Sequence, residues 1–248
     1  MRRYDNARTV ANEHEILAEF QRSSLVAYQQ CTHIADIQYG THPRSTLDLF
    51  PLEQAKKTVI FIHGGYWQWC DKSDFAFIVP YVLAKGAQCV LLEYDLAPQS
   101  KISDIASQIN QVLDFIREQD WKTNEVVLVG HSAGAHLAAL SLGHPLISKM
   151  VLLSGIYDLE PIQSTHLNHA LNLSSEDILK YSPVHQSKRI TTPCSIFCGE
   201  LELDELKWQS QNYFEMKKRQ DQDLVSFKLI PKINHYSILN HYFNNILI

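Results

Sequence analysis

No stretch of the 248-residue chain is long and apolar enough to span a bilayer. The longest apolar run, residues 75–84, is about half of what a membrane helix needs. Residues 4–19, after the basic Met1-Arg2-Arg3, are polar and mixed in charge, so the apolar core of a secretory signal is missing. Cysteine is scarce. The five present (Cys31, Cys70, Cys89, Cys194, Cys198) are an odd number in a chain too large to need disulfide staples. Cys194 and Cys198 have no His or Cys partners at metal spacing, so neither a metal nor another cofactor is expected. Positive charge is not in excess: the net charge is −5, which favours neither nucleic acid nor an anionic membrane as partner. With nine Gly and nine Pro, 45 % apolar and 20 % charged residues, the chain is neither fibrous nor disordered. A cytoplasmic protein with reduced, buried thiols that acts on small molecules is expected, as a monomer or a homodimer.

No repeat of 20–50 residues and no low-complexity tract interrupts the chain. Residues 34–39 and 45–50 read as two strands of a hairpin, with Gly40, His42 and Pro43 between them. From residue 58 the character changes. Short continuous apolar runs at 58–62, 89–92, 125–129, 150–153, 194–198 and 224–230 fit parallel strands buried on both faces. Between them lie helical spacings. The clearest places Ile102, Ile105, Ile109, Val112, Leu113 and Ile116 on one face. Residues 133–142, rich in Ala and Leu, and 205–219, ending in Lys217-Lys218-Arg219, read likewise. Strand and helix in alternation predict an α/β fold, a mostly parallel sheet with helices on both faces. In such sheets chemistry sits in the loops after the strands. Residues 159–188 break the rhythm and read as a helical cap; residues 1–30 read as a separate N-terminal arm, helical over 12–22. The whole of 1–248 is taken as one domain.

The strand 126–129 runs directly into Gly130-His131-Ser132-Ala133-Gly134, and a helical segment follows. This is G-x-S-x-G between a strand and a helix. Reversing a strand sharply into a helix strains the middle residue, and side chains two positions away would collide, so both flanks are Gly. Ser132 is the expected nucleophile, and the N–H of Ala133 an oxyanion donor. The strand 58–62 ends in His63-Gly64-Gly65-Tyr66-Trp67, an HGG-type turn of the kind that completes the oxyanion hole of α/β serine hydrolases. Gly65 and Tyr66, with Gly64, are the expected donors. His63 reads as structural, its ring bonded to local backbone. Tyr66, Trp67 and Trp69 stand beside the hole and are candidates to stack on an aromatic leaving group.

Chain order in this fold is Ser, acid, His. His235, in a loop after the last strand, is the expected base, because His241 falls within the closing helix, 236–246. The acid belongs after the strand 194–198, where Glu200, Glu202 and Asp204 compete. From the residues alone Glu202 and Asp204 are nearly even, with Glu200 behind, although an N-cap role also accounts for Asp204.

His63-Gly-Gly-Tyr-Trp67 together with Gly130-His-Ser-Ala-Gly-Ala-His136 resembles the arylformamidase (kynurenine formamidase) group of α/β-hydrolases over nearly the whole chain. Tyr4-Asp-Asn-Ala-Arg8 is similar to that group's N-terminal segment. Glu202-Leu-Asp-Glu-Leu-Lys-Trp-Gln-Ser210 resembles its acid loop. Aligning Gln209-Ser210 places the family acid on Glu202. Three departures stand out: Glu for the usual Asp, Leu203 for a small residue, and Trp208 where Arg is common. The resemblance implies a serine hydrolase that cleaves an N-formyl arylamine such as N-formyl-L-kynurenine. A carboxylesterase for short-chain acyl esters is the second reading, and a non-catalytic hydrolase-fold binding protein the third.

Overall fold

A computed structural model describes residues 4–187 and 189–246. Met1-Arg2-Arg3, and Lys188 at the end of the expected cap, lie outside the described residues. The chain opens with a 3-10 turn (Asn6–Thr9) and a helix α1 (Glu13–Gln30), eight residues longer at its C-terminal end than its sequence pattern implies. A hairpin of β1 (Ile34–Gln38) and β2 (Thr46–Phe50) follows, closed by Tyr39 N–H donating to Ser45 O at 2.9 Å.

Alternation then sets in. It runs β3 (Lys57–Ile62), a 3-10 segment (Lys72–Ile78) leading into α2 (Val79–Ala84), β4 (Ala87–Leu92), α3 (Ile102–Arg117), β5 (Glu125–His131), α4 (Ala133–Leu140) and β6 (Lys149–Leu153). The cap follows as three short helices, α5 (Glu160–Gln163), α6 (Asn168–Leu171) and α7 (Ser175–Tyr181), with a 3-10 turn (Pro183–His185). The chain closes with β7 (Cys194–Gly199), α8 (Asp204–Lys218), β8 (Val225–Ile230) and α9 (Ser237–His241), which widens into a π-helical turn (Tyr242–Ile246). The single closing helix expected over 236–246 is therefore two different coils.

The eight strands form one sheet in the order β1-β2-β4-β3-β5-β6-β7-β8. The pairs β1–β2 and β2–β4 are antiparallel; every other pair is parallel. Both faces are covered, and the strands show it residue by residue. Ile60, Leu128 and Leu152 join one core with α3 and α8, whereas Val59, Val129 and Val151 join the opposite core with α1, α2 and α9. In β3, β5 and β6 alternate residues thus face opposite cores, so these strands read as nearly unbroken apolar runs. In α3 the six spaced aliphatics from Ile102 to Ile116 are all buried. Each contributes about 1.5–3 kcal/mol by burial, which outweighs any helix propensity. The arm is clamped to the second core: Phe20 stacks on Phe77 at 4.3 Å, and Ser24 Oγ donates to Asp74 O at 2.8 Å. All five cysteines are free thiols, and the three in strands are buried. Among the described residues no helix is long and apolar enough to cross a membrane.

Candidate active site

The central parallel strands end on the same edge of the sheet, and the site is assembled there. β5 passes into α4 through Ser132, whose backbone takes φ 55° and ψ −119°. This left-handed conformation is costly for a residue with a Cβ. It persists because both sides are pinned: Ser132 N–H donates to Leu153 O at 2.8 Å, and Ser132 O accepts from Ala135 N–H at 3.0 Å. The flanking glycines are obligatory. A Cβ on Gly134 would lie 2.1 Å from Ile62 O, and one on Gly130 would lie 2.3 Å from Gly134 O. Ser132 itself is 3 % exposed. Ala133 is the first residue of α4, so its N–H has no acceptor within the helix.

The turn after β3 presses against this elbow. A Cβ on Gly64 would lie 3.0 Å from Ser132 Cβ. Gly65 (φ +105°), Tyr66 (φ 51°) and Trp67 (φ 59°) are consecutive left-handed residues. Gly65 O accepts from the N–H groups of Gln68 and Trp69, both at 2.9 Å. A Cβ on Gly65 would lie 2.1 Å from Trp69 O, so only glycine closes this turn. His63 is buried and structural, as expected. Its Nδ1 lies 2.7 Å from Gly64 O and its Nε2 2.9 Å from Glu93 Oε1. Glu93 is 4 % exposed and also accepts from Arg44 Nη2 at 2.6 Å and Lys72 N–H at 2.9 Å. Burial raises its carboxyl pKa, but bonds and charge from His63, with Arg44 and Lys72, hold it below the usual range.

Glu202 and His235 meet opposite the elbow. His235 Nδ1 donates to Glu202 Oε2 at 2.9 Å, with both residues 4 % exposed. Glu202 Oε1 accepts from Ser154 Oγ at 2.5 Å and from Gly199 N–H at 2.6 Å. The longer acid is therefore held at three points. Ser154 had no sequence signal: it lies just past β6, itself left-handed at φ 54°. Asp204 is not part of this arrangement, and it is not an N-cap either. It is the first residue of α8, its side chain is fully exposed, and it pairs with Lys207 at 2.9 Å. Glu200 Oε2 accepts from Lys232 N–H at the exposed surface.

His131, inside the G-x-S-x-G motif, ties the two halves together. Its Nε2 donates to His235 O at 2.9 Å, and the two rings lie 4.7 Å apart. Burial first, then the neighbouring His235, pushes the His131 pKa well below the ordinary imidazole value, so the ring is neutral and Nδ1 carries a lone pair.

Ser132, His235, Gly64, Gly65 and Tyr66 all line one cavity of about 470 Å3. Trp69 lines it too, half-exposed at the mouth, with Tyr66 edge-on at 6.2 Å. Trp67 does not. It is fully buried, and its indole Nε1–H donates to His136 Nδ1 at 3.2 Å. The expectation that Trp67 contacts substrate is corrected for this reason: the left-handed turn sends successive side chains to opposite sides, one into the core. His136 Nε2 then donates to Tyr181 O at 2.7 Å, bridging the turn to the cap.

The largest surprise is the arm. Asp5, Asn6, Glu13, Leu17 and Phe20 form a wall of the cavity, and the cap adds His166 and Leu167. The arm is anchored by Tyr66 Oη donating to Tyr4 O at 2.7 Å and by Gln209 Nε2 donating to Tyr4 Oη at 2.6 Å. Gln209 Oε1 also accepts from the N–H groups of Tyr157 and Asp158. One buried glutamine thus joins arm, cap entry and α8.

Comparison with known proteins agrees with this architecture. Over residues 59–236 the sequence matches the α/β hydrolase fold family. The kynurenine formamidase of Salmo salar is 32 % identical over 222 residues, covering 83 % of this chain and 76 % of that protein. A crystal structure from a Silicibacter species, provisionally described as a thioesterase, superposes with a TM-score of 0.89 at 24 % identity over 99 % of this chain and 95 % of the other. An esterase from Pyrobaculum calidifontis gives 0.72 at 14 % identity, over 92 % and 86 % of the two chains. At these identities the two structures speak for the fold alone. Fold, sequence match and relatives make the chain a hydrolase, a member of the α/β hydrolase fold family in the group that contains the kynurenine formamidases.

Proposed function

We propose that the protein hydrolyses the formamide bond of an N-formyl arylamine such as N-formylkynurenine, with Ser132 as nucleophile, His235 as base and Glu202 as the acid that orients it. The observation that carries this reading is the buried Glu202–His235 hydrogen bond together with a strained Ser132, with His235 and Ser132 both lining one aromatic-walled cavity. Formamide, rather than ester, is supported by the name of the Salmo salar relative at 32 % identity.

Chemically, Glu202 accepts from His235 Nδ1–H, which leaves Nε2 as the basic nitrogen. His235 Nε2 takes the Ser132 hydroxyl proton as Oγ attacks the formyl carbon. The carbonyl oxygen becomes an oxyanion held by the N–H groups of Gly65, Tyr66 and Ala133, with Gly64 packed close by; each donor lowers the barrier by about 3 kcal/mol. An arylamide ion is a poor leaving group, so His235 returns its proton to the nitrogen as the C–N bond breaks. Free arylamine departs and a formyl ester stays on Ser132. Water, deprotonated by His235, then attacks that ester, releasing formate and restoring Ser132.

The test is a substrate panel of N-formylkynurenine and formanilides against short-chain phenyl esters. Turnover of N-formylkynurenine with kcat/KM in the ordinary enzyme range of about 10^4 M⁻¹s⁻¹ or more supports the reading. Rapid ester turnover with none of the formamide replaces it by a carboxylesterase. Failure of a fluorophosphonate to label Ser132 in the folded protein favours a non-catalytic binding protein.

A further inference from the structure

The arm wall of the cavity has a consistent chemistry. Among the described lining residues there is no Lys or Arg, whereas Asp5 and Glu13 both bring carboxylates. No described residue bonds the Asp5 carboxylate, and Glu13 receives a bond from the Tyr236 hydroxyl through one oxygen. A second observation is independent of these charges. Asn6 is 7 % exposed; its Nδ2 donates to Tyr66 Oη at 2.9 Å, which sets the amide in the cavity wall, and its Oδ1 has no hydrogen-bond partner among the described residues. His131 also lines this cavity, and its buried Nδ1 is a second acceptor without a partner among the described residues. A buried acceptor with no donor is costly and signals a partner that the protein alone does not supply.

The remaining walls are aromatic: Tyr66, Trp69, Tyr236, Phe20 and Phe75. Aromatic faces with carboxylates and orphan acceptors, and no fixed positive charge, match a protonated amine, which is attracted to ring faces and supplies three donors. The other titratable groups facing this volume alter nothing in that balance. His166 of the cap stands across from the arm, His235 is bonded to Glu202, and burial holds the hydroxyls of Tyr4, Tyr66 and Tyr236 and the thiol of Cys70 in their neutral forms.

We propose that the arm half of the cavity, built by Asp5, Asn6 and Glu13 against Tyr66 and Trp69, is a cation subsite that takes the primary ammonium group of the leaving-group side of the substrate. This deepens, and rests on, the formamide reading by naming which end of an amino-acid-bearing arylamine is recognised. The ammonium is held, and the carboxylate of the same amino acid points away from the arm.

Binding of product-side ligands tests this without requiring turnover. The full chain is titrated calorimetrically at neutral pH with kynuramine (ammonium only), 4-(2-aminophenyl)-4-oxobutanoate (carboxylate only) and kynurenine (both). Kynuramine is expected to bind about tenfold more tightly than the carboxylate-only ligand. The isosteric double variant Asp5→Asn/Glu13→Gln should shrink this gap to within about threefold, and Asp5→Lys should reverse it. Fluorophosphonate labelling of Ser132 and the melting temperature report that each variant is folded. If a variant is misfolded, raising the salt concentration on the wild type, which should narrow the gap by screening, takes its place. Equal or tighter binding of the carboxylate-only ligand, a gap that neither variant nor salt changes, or no binding of kynuramine at millimolar concentration overturns the proposal. N-formylkynurenine turnover is followed in parallel on the wild type. Its absence removes the formamide reading, while the ligand preference still decides the subsite.

Discussion

Glu202 and His235, both buried, share a 2.9 Å hydrogen bond between two loops that are 33 residues apart in the chain. Two positions further on, Asp204 is fully exposed and paired with Lys207. The two carboxylates are equivalent as chemistry and opposite as environment, and this contrast separates their expected roles. Glu202→Gln removes the acceptor that fixes the His235 tautomer and should lower kcat by about 10^3–10^4. Asp204→Asn should leave kcat within about twofold of wild type and cost less than ~0.5 kcal/mol of stability, since an exposed i,i+3 ion pair contributes little. Steady-state kinetics and denaturant unfolding of both variants check this; a large kcat loss in Asp204→Asn contradicts it.

Ser154 is expected to act through Glu202. Its hydroxyl donates to Glu202 Oε1 from a fully buried position, leaving Gly199 N–H as the other donor to that oxygen. Ser154→Ala should weaken the orientation of the acid, lowering kcat by about tenfold with KM little changed, and destabilise the fold by about 1.5–3 kcal/mol, the range for a hydrogen bond to a charged group. Wild-type kcat in Ser154→Ala would show that Gly199 alone suffices.

Trp67 and Trp69 should behave as different kinds of residue despite their spacing. Trp67→Phe removes the indole N–H that His136 Nδ1 accepts and should lower stability by about 1–3 kcal/mol, leaving KM for aryl substrates within about twofold. Trp69→Ala removes a half-exposed ring from the cavity mouth and should raise KM for aryl substrates several-fold with little change in stability. Thermal unfolding and KM measured on the same two variants give the answer; a reversed pattern would return Trp67 to the substrate site.

His136 links acid sensitivity to the bridge between the turn and the cap. Burial lowers its pKa to about 4, and both ring nitrogens are committed in the neutral form, Nδ1 to Trp67 and Nε2 to Tyr181 O. The folded pKa lies below the unfolded value of about 6.5, so this contribution to stability is complete above that pH and is lost as pH falls towards 4. The two values correspond to a contribution on the order of 3 kcal/mol. The melting temperature should therefore fall between pH 6.5 and 4, and His136→Gln, which does not titrate, should flatten that part of the profile. An unchanged slope in His136→Gln would place the acid sensitivity elsewhere.

Much of this architecture is legible in the residues, and the parts that are not share a cause. The central strands are readable because a parallel strand covered on both faces shows every residue as apolar, as Val59-Ile-Phe-Ile62 does. The elbow was readable because Gly130 and Gly134 answer a local steric demand. The choice between Glu202 and Asp204 is not local. It depends on where β7 ends and on a clamp by Ser154, some fifty positions away, that has no signature of its own. The same holds for Trp67 and Trp69, which consecutive left-handed residues direct to different sides. In sequence the arm reads as a separate piece, yet its packing against Tyr66 and Gln209 makes it a wall of the cavity, a relationship that pairs residues up to 205 positions apart.

The most direct test of the central claim is hydrolysis of N-formylkynurenine by the purified protein and its Ser132→Ala variant, followed by the appearance of kynurenine and formate. The account predicts efficient turnover by the wild type and a loss of about 10^4-fold or more in the variant. No turnover by a folded wild type that is labelled by a fluorophosphonate at Ser132, or equal turnover by both proteins, would contradict it.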